Sequence, residues 1–181
     1  MKKQILFIHG GGEGGYEADT KLVVSLRTEL GEAYEVHYSQ IHFNDTLPDF
    51  GWIKEIGKEI SLIKEKIILV GHSFGASMLL KYLSENRIQK KIDGLFLIAA
   101  PYWSGDEDWK QGIKLHKSFA DRIPKDIQIF LYQCKDDEVV PFDHLKFYAQ
   151  NLPQATIRKI TNGGHQLNND LSLIAKDIKS L

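Results

Sequence analysis

The run Ile67-Ile68-Leu69-Val70-Gly71-His72-Ser73-Phe74-Gly75 decides how this chain is read. Its four leading apolar residues have the character of a buried strand, and Phe74 to Leu83 beyond it is apolar on nearly every side, as a central helix is. A Gly-x-Ser-x-Gly pattern set between a buried strand and a helix is the context in which that pattern carries chemistry. Gly71 and Gly75 remove the Cβ atoms that so sharp a turn would crowd. Ser73 is thereby expected in a strained conformation, its Oγ above the strand edge and a helix N-terminus behind it. The bland alternative is a strand-to-helix turn with no chemistry.

Outward from this run, short apolar stretches alternate with amphipathic ones. Ile5 to Ile8, Tyr34 to Tyr38, Ile67 to Val70, Leu95 to Ala99, Ile127 to Tyr132 and Ala155 to Ile160 read as strands. Leu22/Val23/Leu26/Leu30 and Trp52/Ile53/Ile56/Ile60/Ile63 each fall on one helical face. Leu171/Ile174/Ala175/Ile178/Leu181 does the same, with Asn168 or Asn169 available as a cap. Strict alternation predicts an α/β fold, a three-layer α/β/α sandwich around a mostly parallel sheet of about six strands. No repeat or linker interrupts it, so residues 1–181 read as one domain. Residues 101–124 fit least well: Tyr102, Trp103, Trp109 and Phe119 stand among charges with no strand. The segment is either a small cap over the sheet's C-terminal edge, with Trp103 and Trp109 as substrate contacts, or a crossover with an aromatic core face.

Composition narrows the function classes. With 43% hydrophobic and 26% charged residues the chain is an ordinary globular sequence. Lys+Arg of 23 against Asp+Glu of 24 gives a net charge of −1, so nothing electrostatic argues for a nucleic-acid or membrane partner. The single cysteine, Cys134, excludes an internal disulfide and any multi-cysteine metal site. Lys2 and Lys3 precede an apolar stretch of only four residues, too short for a signal-peptide core, and a cytoplasmic location is expected. Oligomeric state is unreadable.

A serine hydroxyl needs a base within hydrogen-bond reach, and the base needs a carboxylate to fix its tautomer. Asp137, in Asp136-Asp137-Glu138-Val139-Val140-Pro141, follows the fifth predicted strand, and His165, in Gly163-Gly164-His165, follows the sixth. With Ser73 they stand in the chain order Ser, Asp, His, each at the C-terminal end of its own strand. Asp136 is the fallback acid, and six other histidines show that histidine alone means little here. None of them has the His-Glu-x-x-His spacing of a zinc site.

After the first strand comes Gly10-Gly11-Gly12-Glu13-Gly14-Gly15. Such a loop lets a backbone N–H approach a developing oxyanion, and Gly11 and Phe74 are the expected donors. The same loop also satisfies Gly10-x-Gly12-x-x-Gly15, a dinucleotide fingerprint. That reading wants an acidic residue ending the second strand, where His37-Tyr38-Ser39-Gln40 stands instead, and it leaves Ser73 without a role.

Together, His9-Gly10-Gly11-Gly12, Gly71-His72-Ser73-Phe74-Gly75, Asp137 in Asp-x-x-Val-Pro form and Gly164-His165 resemble the α/β-hydrolase superfamily over almost the whole chain. The small size, the 136–141 stretch and Gly164-His165-Gln166 are similar to the compact serine hydrolases grouped with YdeN and retinoblastoma-binding protein nine. His9-Gly10 opening the glycine loop, and Phe74 in place of a smaller residue after the serine, depart from that subgroup. The resemblance implies a serine hydrolase acting on an ester, thioester or related acyl bond, with a small-molecule acyl substrate and no cofactor. A dinucleotide-binding oxidoreductase and a non-catalytic binding protein on the same fold are the rival classes.

Overall fold

A computed structural model of the chain describes residues 2–103 and 110–181. Six strands form one sheet: β1 Lys3–Ile8, β2 Tyr34–His37, β3 Ile67–His72, β4 Ile92–Ile98, β5 Gln128–Cys134 and β6 Thr156–Ile160. Their order is β2-β1-β3-β4-β5-β6, and every neighbouring pair is parallel. Helices α1 Gly15–Leu30, α2 Trp52–Leu62, α3 Phe74–Glu85, α4 Phe119–Arg122, α5 Asp143–Asn151 and α6 Ser172–Lys179 connect or follow them.

The two-residue period of a strand sorts the core into two halves. Ile5 and Phe7 of β1 pack with Leu22 and Leu26 of α1 and with Ile174 and Ile178 of α6. Leu6 and Ile8 face the opposite way, onto Trp52 and Ile56 of α2, Leu79 of α3, Phe119 of α4 and Tyr148 of α5. β3 is buried at all six positions, because both faces of a parallel sheet are covered.

Chain order reverses beside β1, which leads to β2 on one side while β3 lies on the other. Ligands of open α/β sheets bind in the crevice at such a switch point, outside the carboxyl ends of the strands. The loop after β1 and the turn after β3 both open there, and these carry the glycine run and Ser73.

Of the 101–124 segment, the described part buries Ile113, Phe119 and Ile123 in the half-core above α3, and Lys81 donates from α3 to Lys114 O at 3.1 Å. Trp109, named above as a substrate contact, lies outside the described residues. Two details differ from expectation. Asn168 and Asn169 do not cap α6; they lie in a 3₁₀ turn with φ of 50° and 58°. The N–H of Ser172 is instead taken by Asp170 Oδ1 at 2.8 Å. Helix α5 has no signal in the sequence, because its nine residues bury only Leu145 and Tyr148, too few to display a helical period. Among the described residues no helix is long and apolar enough to cross a membrane.

Candidate active site

The turn after β3 has the geometry its glycines predict. Ser73 sits at φ 52°, ψ −125°, a conformation L-residues rarely adopt and one that stores strain. It is pinned from both sides: its N–H donates to Ile98 O of β4 at 2.8 Å, and its carbonyl accepts from Ala76 N of α3 at 3.0 Å. A Cβ on Gly75 would stand 2.2 Å from His9 O, and one on Gly71 2.7 Å from Ala76 Cα. Both glycines are therefore steric requirements of the close approach between turn, β1 and α3. Ser73 Oγ makes no hydrogen bond to a described residue, so the hydroxyl is free for another partner.

The acid–histidine pair assembles from two later loops. His165 Nδ1 lies 3.1 Å from both carboxylate oxygens of Asp137, whose side chain is fully buried. A carboxylate can only accept, so Nδ1 carries the proton and Nε2 is left as a proton acceptor. Asp137 is itself held by four further contacts than the histidine alone would explain: Val139 N and Val140 N donate to Oδ1 at 2.9 and 2.8 Å, Gln133 Nε2 donates to Oδ2 at 2.7 Å, and its own N–H donates to Cys134 O at 3.4 Å. Asp136 does not reach the histidine ring. It accepts from Gly163 N and Gly164 N at 3.1 and 3.0 Å, and these N–H groups hold its carboxyl below the usual carboxylate value. Glu138 accepts from His165 N at 3.1 Å. The acidic cluster thus divides its work between the ring and the loop that carries it.

No hydrogen bond joins Ser73 Oγ to His165 Nε2 among the described residues; the contact with the histidine loop is made by His72, the neighbour of Ser73 in the chain. The rings of His72 and His165 lie 4.8 Å apart, and His72 Nε2 is 3.0 Å from His165 O. The other nitrogen, Nδ1, is 2.8 Å from Asp19 Oδ2 of α1. Both ring nitrogens of His72 are thus engaged, one by a carboxylate and one by a backbone carbonyl. Asp19 Oδ2 also accepts from Gly10 N at 2.7 Å, and Oδ1 accepts from Gln166 Nε2 at 3.2 Å. One buried carboxylate therefore ties α1, the glycine loop, the serine turn and the histidine loop.

Burial pushes the Asp19 carboxyl up, but the hydrogen bond and charge of His72, then Gly10 N and Gln166, bring it below its ordinary 3.8. A depressed folded value means stability that is present above the unfolded value and is lost as pH falls through the folded one. Asp19→Asn should cost about 3–5 kcal/mol at pH 7, since it removes one partner of a buried pair. The difference from wild type should shrink below the ordinary carboxylate range. Urea unfolding at pH 7 and at pH 3 measures both quantities.

The glycine loop supplies donors. Gly11 packs against Phe74, where an added Cβ would fall 2.8 Å from Phe74 Cβ. Neither Gly11 N nor Phe74 N is spent within the described residues; Phe74 N belongs to the first turn of α3, whose N–H groups have no helical acceptor. His9 anchors the loop from below: Nδ1 donates to Gly10 O at 2.6 Å, and Nε2 accepts from Ile41 N at 2.8 Å. Burial lowers its pKa, in keeping with a neutral structural ring. The dinucleotide reading draws no support from this loop, because Gly10 N is committed to Asp19.

A cavity of about 480 Å³ opens beside Ser73, lined among others by Gly11, Phe74, Trp103 and His144. Cys134 is no competing nucleophile: burial and then the nearby carboxylates push its thiol up to about 11. Among the described residues no group of three His, Cys, Asp or Glu side chains is arranged to hold a metal ion. The Asp19–His72 pair, Gln133 and His144 have no signal in the sequence. Asp19 and His144 meet partners 53 and 42 positions away, which no local spacing announces.

Residues 25–172 match the family model described as serine hydrolase. YdeN of Bacillus subtilis, named as a hydrolase, is 25% identical over 124 residues, covering 66% of this chain and 63% of that protein. The match therefore spans less than two thirds of the relative's length. Among solved structures, Est1E from Butyrivibrio proteoclasticus superposes over 99% of this chain and 86% of its own, with TM-score 0.71 at 15% identity. SOBER1 of Arabidopsis thaliana superposes over 99% of both chains with TM-score 0.70, also at 15% identity. An esterase domain from Rhodothermus marinus gives 0.69 at 14% identity, over 98% of this chain and 85% of that one. At such identities the likeness is one of fold.

Proposed function

The chain belongs to the serine hydrolase family, and from that premise we propose that it cleaves ester, thioester or related acyl bonds with Ser73 as nucleophile. The observation that carries the reading is Ser73 at φ 52° in the switch-point crevice, with its neighbour His72 packed on His165, whose Nδ1 is bonded to a buried carboxylate. Ser73 Oγ attacks the acyl carbon while His165 Nε2 takes its proton, and Asp137 stabilises the resulting imidazolium. The N–H groups of Gly11 and Phe74 receive the oxyanion. His165 then gives the proton to the departing oxygen or sulfur, leaving an acyl-serine. Water repeats the sequence: His165 takes a proton from it, the acyl carbon is attacked, and Ser73 recovers its hydroxyl as the acid leaves.

Labelling by a fluorophosphonate tests the nucleophile apart from any substrate preference. Wild type should be labelled on Ser73, and His165→Gln only at a small fraction of that rate, because the serine loses its base. Mass spectrometry of the labelled peptide identifies the site. Label found elsewhere, or wild-type labelling of His165→Gln, refutes the assignment. A dinucleotide-binding protein or a non-catalytic member of the fold would give no label at all. The expected setting is the cytoplasm, with a small acyl compound as the partner.

A further inference from the structure

The walls of the cavity beside Ser73 are apolar. Phe43, Phe50, Phe74, Trp103, Val139 and Pro141 contribute to them, and among the described lining residues none is acidic, lysine or arginine. Phe43 and Val139 are 53% and 60% exposed, so apolar surface continues outward from the cavity to solvent. A charged group entering such a lining would lose its hydration and find no opposite charge to replace it.

Besides Ser73 itself, the described lining carries the polar side chain of His144. His144, near the start of α5, accepts from Tyr102 N through Nδ1 at 3.0 Å. A backbone N–H can only donate, so Nδ1 is unprotonated and the proton of the neutral ring sits on Nε2. Among the described residues Nε2 has no partner. Burial lowers the pKa of this ring against the raising effect of Asp143, which favours the neutral form.

We propose that this cavity selects an uncharged, apolar acyl chain of medium length, and that Nε2–H of His144 donates to an acceptor oxygen carried on that chain. This rests on the reading of Ser73 as nucleophile. The volume, about 480 Å³, lies in the range of small-molecule clefts, and admits chains of about four to eight carbons. Trp103 and Phe74 grip the chain while His144 fixes its polar point, so apolar contact supplies affinity and one hydrogen bond supplies discrimination.

The test uses p-nitrophenyl esters matched in length: hexanoate, the singly charged adipate half-ester, 6-aminohexanoate, and 4- and 5-oxohexanoate, with acetate as the short reference. Hexanoate should exceed acetate by about 10–100-fold in kcat/KM, a conservative share of the burial of four added methylenes. Both charged esters should fall well below hexanoate. At least one oxo ester should be preferred to hexanoate, and His144→Asn should reduce that preference by about three- to tenfold, the usual worth of a neutral hydrogen bond. Asn keeps an oxygen near the Nδ1 position for Tyr102 N but lacks the Nε2–H; His144→Gln, with an amide N–H near the Nε2 position, should recover part of the preference.

Acetate turned over as fast as hexanoate, or a charged ester preferred, overturns the inference while Ser73-dependent turnover leaves the hydrolase reading standing. An oxo preference that is absent, or unchanged in His144→Asn, overturns the role of His144. If no ester is turned over, the hydrolase reading fails, and calorimetry with hexanamide, adipamic acid and 6-aminohexanamide then decides the cavity alone. Tighter binding of the neutral amide supports it, and equal or tighter binding of a charged one overturns it.

Discussion

Ser73→Ala should lower kcat/KM for an acyl ester by about 10⁴-fold or more, by analogy with the loss of the nucleophile in other serine triads. The same substitution should leave stability within about 0.5 kcal/mol of wild type, because it touches none of the interactions that hold the turn. Ser73 N and O make the bonds that fix it to β4 and α3, and both survive in alanine. Oγ has no hydrogen-bond partner among the described residues, so its removal leaves no orphaned group behind. The strain at φ 52° is likewise the same for the two residues, since each carries a single Cβ. Turnover and a urea unfolding curve on the same preparation separate chemistry from folding. Wild-type turnover by a folded Ser73→Ala protein would remove the nucleophile assignment altogether.

That prediction draws on the part of the molecule most legible in the sequence. The serine turn is written in nine contiguous residues, and its strand and helix flanks follow from local apolar pattern alone. The six strands were readable for the same reason: each is a short apolar run bounded by polar or glycine residues, and a parallel sheet buries such runs on both faces. What could not be read depends on contacts between distant positions. Asp19 looks like one more polar residue of an amphipathic helix, yet it is 1% exposed and bonded to His72, 53 positions away. His9 reads only as the start of the glycine loop, yet both of its ring nitrogens are committed, one of them to Ile41 N, 32 positions on. A hydrophobic period reports which face of an element is buried. It carries no information on which polar groups meet inside, because those partners are set by the sheet order.

The choice between the two adjacent acids shows where the resemblance ended and the geometry began. Asp137→Asn should reduce kcat/KM by about 10⁴-fold, the loss seen when the triad carboxylate becomes an amide and the histidine adopts the wrong tautomer. The cause can be followed atom by atom. Val139 N and Val140 N require an acceptor at the Oδ1 position, so the amide oxygen stays there. The new amide nitrogen then occupies the Oδ2 position, facing Gln133 Nε2 and one of the two contacts of His165 Nδ1, which keeps only the oxygen already shared with Val139 N and Val140 N. His165 relieves the donor–donor contact at Oδ2 by moving its proton to Nε2, the atom proposed to accept from Ser73. Asp136→Asn acts otherwise. Its carboxylate bonds Gly163 N and Gly164 N and never meets the ring, so the amide keeps one of those two bonds and loosens the loop. An effect of about tenfold or less is expected there, comparable with the loss of one exposed hydrogen bond. Rates for both variants on one ester, with circular dichroism to verify the fold, decide the matter. If Asp136→Asn proves as damaging as Asp137→Asn, the histidine depends on how its loop is held more than on the carboxylate at its Nδ1, and the acid would have to be reassigned.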